Sequence, residues 1–157
     1  MNIISTSKGI GSQLTEFRKL VKESQQITFI GTVGFCTPFA ELMAFVLRGT
    51  DKKMVFLPNL QPDEARMLVS SSQGMKLGDI TDPSADTVVL FGGLAMPKIG
   101  VDPEKMKELM DVLLQEAEKK LVIGVCFQSM FMDQKWPEII DFDYIIDTDL
   151  TNEVKKV

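Results

Sequence analysis

Three short runs constrain this chain more than any other feature: ITFIGTV at 27–33, TVVLF at 87–91 and LVIGVCF at 121–127. Each is almost wholly apolar, rich in β-branched residues and too short for an ordinary helix. A strand with one wet face would alternate apolar and polar residues, and these do not. They read as strands buried on both faces, the hallmark of a parallel sheet sandwiched between helices. Weaker strands are expected at 53–58 (KMVFLP), 75–80 and 143–147.

The intervening segments are long enough to cross back over a sheet. Ile10, Leu14, Phe17, Leu20 and Val21 recur at helical spacing, which predicts an amphipathic helix over 9–24. Thr37-Pro38 supplies an N-cap and a first-turn proline, opening a helix that runs to Arg48, where Gly49 can take the left-handed terminating conformation. Residues 62–72 open with a proline and two acids and predict a short helix. Asp102-Pro103-Glu104 caps a longer one with the stripe Met106, Leu109, Met110, Leu113, Leu114 and Ala117. A last short helix begins near Ser129 and must end before Pro137.

Strands joined by helix-length crossovers imply an α/β fold. The expectation is a three-layer, doubly wound, mainly parallel sheet of five to six strands, Rossmann-like, with an extra N-terminal helix. At 157 residues, without a linker or repeat, residues 1–157 form one domain. The expected strand order is third, second, first, fourth, fifth, sixth, with the orientation of the last strand open.

Charge and composition exclude several functions. The net charge of −5 argues against nucleic acid or an anionic membrane surface as partner, since both need concentrated Lys and Arg. The lysine pairs 52–53, 119–120 and 155–156 read as solvated surface. No window approaches the roughly 18 uninterrupted apolar residues of a membrane span, and residues 1–13 lack the basic and apolar regions of a secretory signal. Two cysteines 90 positions apart form neither a disulfide framework nor a zinc ribbon, so a cytoplasmic, reducing environment is expected.

The chain has no histidine. That removes the usual proton-transfer group near neutral pH and the commonest metal ligand. Ser-His-Asp and Cys-His mechanisms are excluded within one chain. The carboxylates Asp141, Asp143, Asp147 and Asp149 flank a short strand without EF-hand spacing, so they read as a charged sheet edge rather than a metal site. The sequence leaves the cofactor unknown.

In an open parallel sheet, ligands sit beyond the carboxyl ends of the strands where the order reverses. On the expected order, that point lies between the first and fourth strands, whose following loops are GTVGFCT (31–37) and GGLAMPKIG (92–100). Gly31, Thr32, Gly34, Cys36 and Thr37 in one loop, with Gly92, Gly93 and Lys98 in the other, are the candidate ligand residues. Free N–H groups at a helix start suit a phosphate or carboxylate. The spacing is G-x-x-G and no Lys-Ser/Thr follows, so neither a dinucleotide fingerprint nor a P-loop is present. The same glycines also serve a plain strand-to-helix turn.

Cys36, just ahead of the expected N-cap, is either a thiol activated by the helix terminus or a small buried hydrophobe. Cys126 lies in VIGVCFQS (122–129), which with VVLFGG (88–93) resembles the class I glutamine amidotransferases. That resemblance implies a nucleophilic cysteine on a strained elbow, matched at Gly124 and Cys126. Gln128 stands where the elbow has glycine, and the Cys-His-Glu relay has no histidine to use. The strands carrying the two thiols are two apart, so no disulfide is expected.

Over most of its length, through GTVGFCTPFAE (31–41), VLFGGLAMPK (89–98) and GVCFQSMF (124–131), the chain is similar to a small uncharacterised family of archaeal proteins, found mainly in methanogens. The resemblance implies a cytoplasmic archaeal protein and no particular activity. The leading expectation is therefore a binder of a small anionic metabolite at the carboxyl ends of strands 27–33 and 87–91. The alternatives are a thiol enzyme using Cys36 or Cys126, and an interaction subunit that forms a homodimer through methionine-rich surfaces.

Overall fold

A computed structural model of the chain describes residues 1–157. The apolar runs become β1 (Gln26–Gly31), β5 (Thr87–Phe91) and β6 (Leu121–Phe127), each buried along nearly its whole length. β2 (Lys53–Pro58), β3 (Arg66–Ser71), β4 (Gly74–Ile80) and β7 (Tyr144–Thr148) complete a single seven-stranded sheet, ordered β4-β3-β2-β1-β5-β6-β7. β2, β1, β5, β6 and β7 pair in parallel, which settles the direction of the last strand. The expected reversal of strand order at β1 and β5 is present, since Ile27 to Ile30 pair in register with Thr87 to Leu90.

The sheet has seven strands rather than five or six, because residues 66–71 are a strand where a helix was expected. Pro62 and the two acids make only a single 3₁₀ turn, Pro62–Glu64. Met67, Leu68 and Val69 are contiguous, and on a helix they would spread over roughly 200° with no shared face. On a strand they divide: Leu68 enters one core and Met67 packs against the other. β3 runs antiparallel to both β2 and β4, in a hairpin closed at Ser71 and Gly74. Gly74 takes φ +107°, and the Ser71 hydroxyl accepts the Gln73 N–H and donates to the Gly74 carbonyl, fixing the turn.

Helices cover both faces. α1 (Gly9–Leu20), shorter than expected by four residues, and α2 (Thr37–Val46) bury Phe17, Ala40, Met43 and Ala44 against Phe29, Phe56 and Phe91. On the opposite face α3 (Pro103–Leu114) buries Met106, Met110, Leu113 and Leu114 against Ile30, Val88 and Leu90. The short α4 (Met130–Asp133) adds Phe131, which packs on Trp136 and Phe142. The Asp102 carboxylate caps α3 by accepting the Glu104 N–H, and Gly49 past α2 takes φ +78°, both as the sequence predicts. Ala117 falls beyond the end of α3. No helix is long and apolar enough to cross a membrane.

Candidate functional site

The carboxyl ends of β1, β5, β6 and β7 and the turns that follow them gather the chain's thiols, its glycine corners and the positive-φ residues Gly34, Gln128 and Ser129. β1 ends at Gly31, two residues earlier than expected, and the chain turns through Thr32–Cys36 into α2. Gly34 takes φ +89°, and its N–H donates to the Thr37 hydroxyl at 3.3 Å. Thr37 was expected to be the N-cap of α2; that position belongs to Cys36. The Cys36 N–H donates to the Thr32 carbonyl at 2.8 Å, folding its side chain inward.

That inward turn decides the character of the site. Cys36 is buried, and its sulfur receives the N–H groups of Thr32 and Gly93. A Cβ added to Gly31 would collide with the Cys36 side chain, and one added to Gly93 would lie 2.5 Å from its sulfur. The two glycine corners do face each other, as the strand order predicts. The space between them is occupied by the chain's own thiol, and the N–H groups of Thr32 and Gly93 serve its sulfur. Burial raises the Cys36 pKa above its ordinary value, outweighing those two N–H groups. Of the two readings open for Cys36, a small buried hydrophobe and a thiol activated by the helix terminus, the structure has the first: desolvation wins.

Gly92 serves the second thiol. A Cβ there would lie 2.5 Å from Cys126 Cβ and 3.1 Å from its Cα. Gly92–Ala95 form a 3₁₀ turn, not an open loop, with the glycine pair wedged between two cysteines that belong to opposite cores. Both cysteines are free. Lys98 is exposed on the turn beyond, and neither a hydrogen bond nor an ion pair joins it to the 31–37 loop.

After β6 the backbone does form a strained elbow: Gln128 and Ser129 take φ +54° and +59°, a costly region for residues with side chains. Asp147 on β7 holds this corner. Its Oδ1 accepts the Cys126 thiol at 3.4 Å and the Ser129 N–H at 3.0 Å, and its Oδ2 accepts the Ser129 hydroxyl at 3.2 Å. Burial first, then the Asp147 charge, pushes the Cys126 pKa up to about 12, against opposing N–H groups from Phe131 and Met130. Cys126 is a neutral hydrogen-bond donor at neutral pH, the reverse of a nucleophilic elbow. Gly124, which fitted the amidotransferase pattern, makes room for rings instead: a Cβ there would approach Phe142 to 2.9 Å and Phe131 to 3.1 Å.

The acidic residues of this edge have separate tasks. Asp143 accepts the Val122 N–H at 2.8 Å, Asp141 pairs with Lys107 at 3.7 Å, and Asp147 braces the elbow. Asp147 and Ser129 were missed as site residues, because nothing in their spacing marks a carboxylate on β7 as the partner of a turn on β6.

Open space lies one strand over. A groove of about 370 Å³ separates the loop after β1 from the β3–β4 hairpin, lined by Val33, Pro58, Glu64, Arg66, Leu77 and Ile80 among others. Val33 and Ile80 are 63% and 58% exposed, so its walls are wet apolar surface. Arg66 Nη1 donates to the Gly78 carbonyl at 3.0 Å, which fixes the guanidinium at the groove. On the β1–β2 rim, Thr32 donates its hydroxyl to Asn59 Oδ1 at 3.0 Å, and Asn59 itself has φ +49°. The expected helix over 62–72 hid Arg66 from the sequence-based choice of site.

A family model described as "Uncharacterized protein conserved in archaea (DUF2124)" matches residues 8–151. The chain is 41% identical over 150 residues to an uncharacterized protein of Methanocaldococcus jannaschii, covering 94% of this chain and 89% of that one. It is 39% identical over 154 residues to an uncharacterized protein of Methanothermobacter thermautotrophicus, covering 98% of each. A crystal structure of a protein of unknown function from Methanothermobacter thermautotrophicus superposes with a TM-score of 0.91 at 38% identity, covering 100% of this chain and 99% of that one.

Proposed function

The chain belongs to the uncharacterized protein family conserved in archaea (DUF2124), and on that premise we propose that it is a cytoplasmic, Rossmann-like binding protein for a small anionic metabolite. The ligand has a carboxylate or phosphate and an apolar body. One observation carries this reading: the groove at the carboxyl end of β2 joins exposed apolar walls to a tethered guanidinium. An arginine fork suits planar, bidentate recognition of either anion. Val33, Pro58 and Ile80 would take the apolar part, and Thr32 borders the site on the β1 side. Gly31, Gly92 and Gly93 contribute by seating the two thiols, and Gly34 and Thr37 by fixing the loop that carries Val33. Two buried, neutral thiols do not support the thiol-enzyme alternative.

The test is a thermal-shift screen of carboxylates and phosphorylated metabolites. A true ligand at a hundred times its dissociation constant adds about 2.7 kcal/mol, or roughly 5–10 °C for a chain of this size. Arg66→Gln, at an exposed position, should abolish the shift while leaving the unliganded melting temperature nearly unchanged. No response across the panel, or a shift that survives Arg66→Gln, would refute the assignment.

A second reading, homodimerisation, rests on α2. Pro38, Leu42 and Phe45 are exposed at spacings of four and three, which makes one outward apolar stripe opposite the buried Ala40, Met43 and Ala44. Phe35 continues it at 60% exposure. Four of the ten methionines, Met43, Met54, Met106 and Met110, are buried core fillers and take no part in this stripe.

A further inference from the structure

A second cavity, of about 300 Å³, opens at the amino-terminal edge of the sheet, at the end far from the thiols. It lies between the last turn of α1, the C-terminal end of α2 and the residues leading into β2. Only Val46 and Leu47 among its nine lining residues are hydrophobic. Three cations, Arg18, Lys22 and Lys52, face it with a single carboxylate, Asp51. In a chain of net charge −5 this is a reversal of the prevailing sign.

We propose that this cavity binds a diphosphate or a phosphorylated aliphatic metabolite, with Arg18, Lys22 and Lys52 as its anion-holding residues. Lys52 is already positioned: its ammonium donates to the Lys22 carbonyl at 3.0 Å and to the Ser24 carbonyl at 2.6 Å. An ammonium has three donors, so one remains for a ligand. Arg18, in the last turn of α1, and Lys22, two residues past its end, bring two like charges to one rim of the cavity. Neither they nor Lys52 forms an ion pair, whereas Lys19 on the same turn pairs with Glu16 at 3.0 Å. Complementing the C-terminal end of α1 accounts for cations on that turn. Lys52 arrives from the β2 side: two of its three donors tie down carbonyls just past the end of α1, and the third is left for the cavity.

The ligand class follows from the walls. Three cations against one carboxylate call for at least two negative charges; sulfate carries them on one centre, whereas a diphosphate spreads its charge over two phosphoryl groups and so over more of the wall. No aromatic side chain lines the cavity, so nothing there would stack a nucleobase, and a nucleotide gains no advantage over a simple phosphate ester. Its volume sits at the small end of the range for small-molecule sites.

Isothermal titration calorimetry of the full chain with inorganic pyrophosphate, against sulfate at matched ionic strength, tests this. Saturable one-site binding is expected for pyrophosphate and not for sulfate. The double variant Arg18→Gln/Lys22→Gln, both changes at exposed positions, should weaken it at least tenfold. Arg66→Gln should leave it unchanged, which separates this cavity from the groove at the opposite end. Pyrophosphate heats no larger than those of sulfate, an unchanged affinity in the double variant, or loss of binding in Arg66→Gln would each overturn the proposal.

Discussion

A methyl group placed on Gly93 would sit 2.5 Å from the sulfur of Cys36, closer than packed atoms tolerate. Gly93→Ala should therefore destabilise the protein by about 1–3 kcal/mol, the usual cost of overpacking. Because the obstructing atom is the sulfur alone, adding Cys36→Ala should recover part of that loss. A denaturant-melt double-mutant cycle should give a favourable coupling of about 1 kcal/mol or more; additive losses would mean that the sulfur does not fill the gap. Gly92 behaves differently. Its added methyl would meet Cys126 Cβ and Cα, atoms that alanine retains, so truncating Cys126 offers no such relief. Much at this scale was legible in the sequence: that the corners at 31 and 92–93 would meet, and that Cys36 stood between two opposite fates. What filled the gap was not, because it turns on whether Cys36 or Thr37 is the N-cap of α2, a one-residue shift that turns a side chain by about 100°.

At the scale of elements, the runs with one unmistakable environment were read correctly. β1, β5 and β6 are apolar on both faces because both faces are covered, and no helix of that composition and length competes. The β3–β4 hairpin was half lost because its signals conflict: Pro62-Asp63-Glu64 resembles a helix start, while the decisive partner, β4, lies across the Ser71–Gly74 turn. Losing β3 also hid Arg66, and with it the open groove. α2 was placed well, yet its outer stripe went unnoticed, since a helix that is apolar all round reads from sequence simply as buried. If Leu42 and Phe45 meet a second copy, sedimentation velocity will show a dimer that Leu42→Glu/Phe45→Glu converts to a monomer with little change in its melt. A wild-type chain that stays monomeric at high micromolar concentration would count against that interface. Arg48, whose guanidinium lies 3.7 Å from the Phe45 ring centroid, already covers part of the stripe.

Over the whole molecule, the two proposed binding sites lie at opposite ends of the sheet. The carboxyl edge is sealed at the switch point by two thiols and opens one strand away, beside Arg66. The amino edge carries the cationic cavity. What unites these features is that Cys36 and Cys126 act as packing, held neutral by burial between the glycine corners. Thiol accessibility in the native state measures this directly. With iodoacetamide at pH 8, mass spectrometry should find both cysteines unmodified in the folded protein on a timescale of hours and both labelled promptly in denaturant. Rapid labelling of either cysteine in the folded protein, above all at pH 6 where only an activated thiol reacts, would contradict the account.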